Sequence, residues 1–200
     1  MSHRPHSTRF DLTLPHRLSC LALVLLCCLA GVAPALAGSA SETYTGKHAQ
    51  VALHAEYPEV VPGKPFQLAL RIQAEPGWHT YWKNPGDTGL PTRIEWTLPA
   101  GLRAGEIEWP TPERIEYQGM INLGYHGDTW LLTTLVASPS QDFGDAVHIE
   151  AAASWLICRE VCIPDKARLE ISLPLADARS TADPRFAEAR GRLPALLGEP

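Results

Sequence analysis

From Lys47 onward, apolar and polar residues alternate with a period of two. Val51, Leu53, Ala55 and Tyr57 share one side of a first run. Phe66, Leu68, Leu70 and Ile72 do the same after the turn signal Pro62-Gly63. Ile94, Trp96 and Leu98 repeat the pattern, and Leu131 to Val136 form a more continuous apolar run. Val147, Ile149, Ala151, Ala153 and Trp155 mark one face of a long strand, and Leu169, Ile171 and Leu173 mark the last. A strand turns alternate side chains to opposite faces, so this pattern predicts strands that are buried on one side only. About seven to nine short strands separated by Pro/Gly turns, with almost no 3.6-residue pattern, predict an all-β fold, an antiparallel sandwich spanning residues 38–176.

Two stretches interrupt the alternation. Gly77 to Leu90 packs Trp78, Tyr81 and Trp82 ahead of a loop built on Asn84-Pro85-Gly86-Asp87. Pro110 to Asp128 reads as a long connection whose apolar residues fit no strand register. Long ordered loops in compact domains tend to carry function. Trp and Tyr clusters in a sandwich are ordinarily core, and that reading stays open for Trp78 and Trp82. Tyr81, Tyr117 and Tyr125, next to Gly and Pro, are candidates for a lid over a reactive group.

The two ends differ in character. Residues 1–37 carry Arg4, Arg9 and Arg17, then an apolar run from Leu18 to Ala33, then Ala35-Leu36-Ala37. This is the order of a secretory signal with an A-x-A cleavage site, and the run is short for a membrane span. A soluble mature chain beginning near Gly38 is expected. Residues 177–200 read as a linker or tail, with Asp183-Pro184 capping a short helix from Arg185 to Arg190 that Gly191 ends, and with nothing obvious buried.

Removing the leader changes the charge and the cysteine count. The chain has 17 basic and 22 acidic residues, of which the leader holds three basic (Arg4, Arg9, Arg17) and one acidic (Asp11), leaving 14 against 21, or −7. Such a surface does not suit nucleic acid, which wants a basic face. Cys20, Cys27 and Cys28 leave with the leader, so Cys158 and Cys162 are the mature chain's only cysteines. Export to an oxidising compartment makes a disulfide their default state.

Three readings of the pair remain open on the residues alone. As a structural staple it is weak: closing a ring of about five residues removes only ~2 kcal/mol of unfolded-chain entropy. As a metal site it lacks partners, since two thiolates need two more ligands, and His48, His54, His79, His126 and His148 are scattered. As a redox pair it fits a small, labile ring, with Arg159 beside it favouring thiolate. No dissociable cofactor is then needed. Cys158 ends the strand whose inward face is Val147 to Trp155, so its sulfur is expected to lie against the sandwich. Cys162 follows the Arg159-Glu160-Val161 turn and precedes Pro164, which cannot donate to a sheet ladder, so it is expected at an exposed edge.

Four motifs in order then carry a resemblance: Trp78-His-Thr-Tyr-Trp-Lys-Asn-Pro-Gly-Asp-Thr-Gly-Leu-Pro-Thr92, Trp109-Pro-Thr-Pro-Glu-Arg114, Asn122-Leu-Gly-Tyr-His-Gly127 and Cys158-x-x-x-Cys-Ile-Pro164. From Tyr44 to Leu175 the chain resembles the periplasmic N-terminal domain of DsbD-type thiol:disulfide interchange proteins, and the ScsB-like branch more closely. The resemblance implies an immunoglobulin-like sandwich with one redox-active cysteine pair. It implies a periplasmic location and electrons drawn from a membrane-embedded donor domain, in cis or in trans. Thioredoxin-like proteins of the disulfide-isomerase type would be the acceptors. Cys158 and Cys162 match the redox pair, with Cys162 at the position that forms mixed disulfides. Glu113 to Tyr117, with Glu113, Ile115, Glu116 and Tyr117 as contact candidates, falls where the family has a cap loop. Trp78 and Tyr81 fall where aromatics flank the site, and Tyr125 joins them as a contact candidate. The best-known members space their cysteines more widely and place an aromatic at the cap tip, where this chain has Ile115 with Tyr117 nearby. The competing function is a secreted binding module whose disulfide merely staples a turn. A copper-handling role rests on analogy with the branch alone.

Overall fold

The computed structural model describes residues 39–195. The leader, with Cys20, Cys27 and Cys28, and the last five residues lie outside the described residues. Among the described residues, eleven strands form two antiparallel sheets. The first sheet has the order β1 (Tyr44–Thr45), β2 (Ala49–Ala55), β3 (Phe66–Ala74), β9 (Asp128–Ala137) and β6 (Leu102–Glu108). The second has the order β11 (Cys162–Pro174), β10 (Ala146–Cys158), β4 (His79–Gly86), β8 (Met120–His126) and β7 (Glu113–Tyr117), and β5 (Arg93–Thr97) also pairs with β10. One α-helix, α1 (Pro184–Arg190), completes the described fold.

The alternation places the core as expected. Leu53, Leu68, Leu70, Ile72, Leu131, Leu135, Ile149 and Leu173 are all but inaccessible and meet between the sheets. The longest ladder is β10 on β11, paired without a break from Ala146↔Pro174 to Cys158↔Cys162.

The stretch expected to be a long connection is a hairpin. Tyr117 and Met120 flank a two-residue turn, Gln118-Gly119, with φ of 51° and 81°. Both central residues lie in the left-handed region, which is what a type I′ turn needs to match the twist of its strands. The run Gly77 to Leu90 likewise contributes β4, whose pairing with β8 shifts register between Tyr81 and Gly86.

The tail also differs from the expectation that it buries nothing. Phe186 is wholly buried and Ala189 nearly so, in a second cluster with Ala69, Trp130 and Leu132 on the outer side of the first sheet. The Phe186 ring meets Trp130 edge-on at 5.6 Å. Asp183 caps the helix by accepting from Arg185 N at 3.0 Å, and its own N–H donates to the Glu56 carbonyl at 2.8 Å. Arg190 Nη1 donates to Glu56 Oε1 at 2.9 Å and Gln67 Oε1 at 2.7 Å. Helix α1 is therefore part of the domain.

Phe186→Ala should lower unfolding stability by about 3–5 kcal/mol, the usual cost of emptying an aromatic site. Urea denaturation of the two proteins measures this, and an unchanged midpoint would mean that α1 is not docked in solution. His54 lies in the same region, stacked on Trp130 at 5.0 Å, and burial first and Arg185 second hold its pKa below the ordinary value. The unfolded chain therefore binds the proton more readily. Stability from this residue is complete above the free imidazole pKa, ~6.5, and declines as pH falls towards the folded value. His54→Gln should flatten the acid side of the stability–pH curve below about pH 6.5, as urea midpoints measured across that range would show.

Candidate functional site

Cys158 and Cys162 stand directly opposite each other at the tip of the β10–β11 hairpin, with Cα atoms 4.2 Å apart and a disulfide between them. The turn is closed by Arg159 N donating to the Val161 carbonyl at 3.2 Å. Cys158 is 2% exposed, whereas Cys162 is exposed and Val161 beside it is 62% exposed.

Cys158 is covered, but not by the core. Along β10 the buried odd positions run Val147, Ile149, Ala151, Ala153, Trp155, Ile157, so Ile157 takes the inward place. Cys158 belongs to the other face of the second sheet, with Ser154 and Leu156. Period two fixes this, so the poor access expected of Cys158 comes from cover on the outer face of the sheet.

A separate layer therefore has to shelter the pair. His79 of β4 is the cross-strand partner of Cys158, and His126 of β8 is the cross-strand partner of His79. Directly opposed residues in a sheet point to the same side, so Cys162, Cys158, His79 and His126 form one row across four strands. Tyr81, two residues along β4, shares that side, and its hydroxyl lies 3.5 Å from Cys162 Sγ. Tyr81 is 2% exposed, and burial raises its pKa, so it is a neutral phenol at the sulfur. Gly89 lies against the Tyr81 ring: a Cβ there would come within 2.3 Å of it, at φ +92°. Gly124, opposite Tyr81, leaves room for Ile115, whose Cδ1 would be 3.3 Å from a Cβ at that position.

The hairpin β7–β8 forms the rest of the cover. In a flat sheet β7 would lie three strand spacings from β10, or roughly 14 Å. Yet the Tyr117 hydroxyl reaches within 3.5 Å of the Glu160 carbonyl in the redox turn. The hairpin thus folds back over the sheet face, and Ile115 is buried beneath it. The loop after β4 pins the hairpin from the other side. Asn122 Oδ1 accepts from Thr88 N and Thr88 Oγ1, both at 3.0 Å, and Ile121 N donates to Asp87 Oδ2 at 2.8 Å.

The sequence candidates divide into two groups. Tyr81 is brought to the pair and Tyr117 to its turn, while Ile115 is buried beside Gly124 under the hairpin. Trp78 lies in the core, stacked on His48 at 3.7 Å, and the Arg159 guanidinium sits over its ring at 5.2 Å. Trp78 thus holds the redox turn from behind. Tyr125 faces the core, with its hydroxyl donating to the Pro110 carbonyl at 2.8 Å and its pKa pushed up by burial. Glu116 pairs with Arg114 on the side of β7 away from Ile115, and Glu113 bonds His126 Nδ1 at 2.9 Å at the margin of the row. Sequence reading missed His79 and His126. Their spacing carries no signal, because only the β4–β8 pairing brings them together, with ring centroids 5.4 Å apart. Among the described residues, no group of three or more His, Cys, Asp or Glu is placed to hold a metal ion.

Among curated proteins, no sequence matches significantly. Of solved structures, the N-terminal periplasmic domain of ScsB from Proteus mirabilis is similar with a TM-score of 0.57 and 23% identity, over 80% of this chain and 61% of that one. The chain thus spans less than two thirds of that structure, and the likeness is one of fold. The reduced N-terminal domain of DsbD from Neisseria meningitidis aligns with a TM-score of 0.32 and 13% identity, over 64% of this chain and 86% of that one. The family model for the N-terminal part of the thiol:disulfide interchange protein DsbD matches residues 49–174, more than half of the chain. That span holds both sheets' central strands, the covering hairpin and both cysteines, and the chain belongs to this family of thiol:disulfide interchange domains.

Proposed function

We propose that this domain is periplasmic and passes two electrons at a time from a membrane-embedded donor domain to oxidised thioredoxin-like proteins, with Cys158–Cys162 as its only redox group. The observation that carries this reading is the unequal access of the two sulfurs. An incoming thiolate or disulfide meets Cys162, while Cys158 stays covered. Exchange goes through a mixed disulfide, and access decides which sulfur forms it. Cys162 is then the attacking cysteine, and Cys158 resolves the intermediate. The exposed Val161 in the turn, and the exposed Leu90 in a groove with Leu156 and Pro164, give an acceptor protein apolar contacts. The folded-back hairpin is the cap: with Ile115 and Tyr117 in place access to Cys162 is narrowed and Cys158 stays covered, and a docking protein pushes the hairpin aside. The leader accounts for export, and the pair itself takes the place of a dissociable cofactor.

Two measurements test this. Cys158→Ser should trap an oxidised thioredoxin-like protein as a stable mixed disulfide through Cys162, and Cys162→Ser should trap far less. Mass spectrometry after mixing reads both. Equal trapping would remove the assignment of attacker and resolver, and no trapping by either would make the pair a staple. Separately, replacing Ile115 and Tyr117 together by Ala should speed alkylation of the reduced cysteines by a small reagent, with the circular dichroism spectrum retained. An unchanged rate would mean that the hairpin does not gate the pair.

A further inference from the structure

His79 is the buried group that the exchange reading leaves without a task. It is 5% exposed, stands directly across from Cys158, and its Nε2 has no hydrogen-bond partner. A buried polar atom with no partner is costly, so it calls for an explanation. Among the described residues, the other buried side-chain atoms of this kind are Trp82 Nε1, Trp155 Nε1 and Thr133 Oγ1. An indole N–H only donates and a hydroxyl is no base near neutrality, so His79 Nε2 alone among them can take up a proton. Cross-strand neighbours hold their Cβ atoms roughly 4.5–5.5 Å apart, which puts the imidazole beside the Cys158 side chain.

Resting on the exchange function above, we infer that His79 is the proton acceptor for Cys158 in the step that resolves the mixed disulfide. Cys162, as thiolate, first attacks the acceptor protein's disulfide. That bond breaks, its far sulfur leaves as thiolate, and a Cys162–acceptor disulfide forms. Cys158 is still a thiol, and covered, so water cannot readily take its proton. Cys158 S–H gives the proton to His79 Nε2 and the resulting thiolate attacks Cys162 Sγ. The Cys158–Cys162 bond forms while the acceptor's sulfur leaves as thiolate. Two electrons have passed to the acceptor, and the imidazolium returns its proton to water. In the reverse direction the ring first takes a proton from water, and when a donor thiolate attacks Cys162 the imidazolium passes that proton to Cys158 as it leaves.

The surroundings suit this. The titratable groups facing His79 are Cys158 of β10, with Cys162 of β11 beyond it, Tyr81 of its own strand and His126 of β8, whose Nδ1 is bonded to Glu113 of β7. None places a carboxylate against the His79 ring. Burial first, and His126 second, keep the ring's pKa low, so it is neutral and able to accept near pH 7.

The test follows the mixed disulfide formed by the reduced protein and an oxidised thioredoxin-like protein, by acid quench and mass spectrometry from about pH 5 to about pH 9.5, a range that spans the imidazole and thiol values. In the unaltered protein its decay should quicken with rising pH through an inflection below the free imidazole value of ~6.5. In His79→Gln the mixed disulfide should form at the unaltered rate and persist about 100-fold longer at pH 7, the lower end of what a general base supplies. The inflection should vanish. A variant that decays at the unaltered rate with the same profile would overturn the inference. If the variant does not fold, the unaltered profile decides alone, and decay that quickens only in the thiol range, near pH 8.5, would overturn it. Cys158→Ser separates the two levels: if it traps nothing, the exchange reading itself fails, whereas if it traps normally and His79→Gln changes nothing, only the role of His79 is lost.

Discussion

The register of β10 on β11 is the constraint from which the rest of the site follows. Thirteen pairs, from Ala146↔Pro174 to Cys158↔Cys162, run without a bulge. Side-chain direction is therefore fixed at the tip by residues buried far from it. Odd positions of β10 enter the core, and even positions leave it. A pair at 158 and 162 has to emerge on the outside of the sandwich. One residue of slip would turn both sulfurs inward and end their access to any other protein. The core anchors that hold them outward are Ile149, Trp155 and Ile157 on one strand and Leu169, Ile171 and Leu173 on the other.

A reactive pair on an outer face needs shelter of its own. The chain supplies it from β4, the loop after it and the β7–β8 hairpin. Glycines make the close approach feasible: Gly86 lies on the Ile121 carbonyl, Gly89 on the Tyr81 ring and Gly124 on the Thr80 carbonyl, and a Cβ at any of the three would come within 2.4 Å of its neighbour. The cover joins the sheet at one edge and reaches the redox turn through the Tyr117 hydroxyl, 3.5 Å from the Glu160 carbonyl. Few contacts at the free end and many at the hinge are what a movable element requires.

The sandwich and its strand runs were legible because half-buried strands print their period directly on the sequence. Ile94 to Leu98 and Val147 to Trp155 needed nothing else. The hairpin was not legible, because its turn is Gln-Gly rather than the common Asn-Gly or Asp-Gly. The run Met120-Ile-Asn-Leu-Gly-Tyr-His126 also hides its alternation. Asn122 and Gly124 sit on the covered outer side, where close contact rather than hydrophobicity decides the residue. The docking of α1 had a signal that was passed over: Phe186, Ala189 and Leu193 repeat at helical spacing. His79 and His126 had none, since their meeting depends on a long-range pairing. The cysteines themselves were plain, and so was their unequal access, although the layer that covers Cys158 on the outer face was not.

The same ladder bears on why reduction need not unfold the domain. The disulfide closes a ring of five residues, worth only ~2 kcal/mol of chain entropy on the loop model. The sulfurs are held opposite each other by the hairpin, with its backbone bonds and its buried face, and not the hairpin by the sulfurs. The thirteen-pair register, the Arg159–Val161 turn bond and the Arg159 guanidinium over Trp78 are all made without the S–S bond, so none of them is lost simply because it breaks. A staple between the two sheets would be different: it would close a far longer loop and contribute more to the fold, and its loss would be felt throughout. A short ring at the end of a ladder that is already complete can open and close while the scaffold stays folded. That is the condition a domain must meet if it is to carry electrons repeatedly.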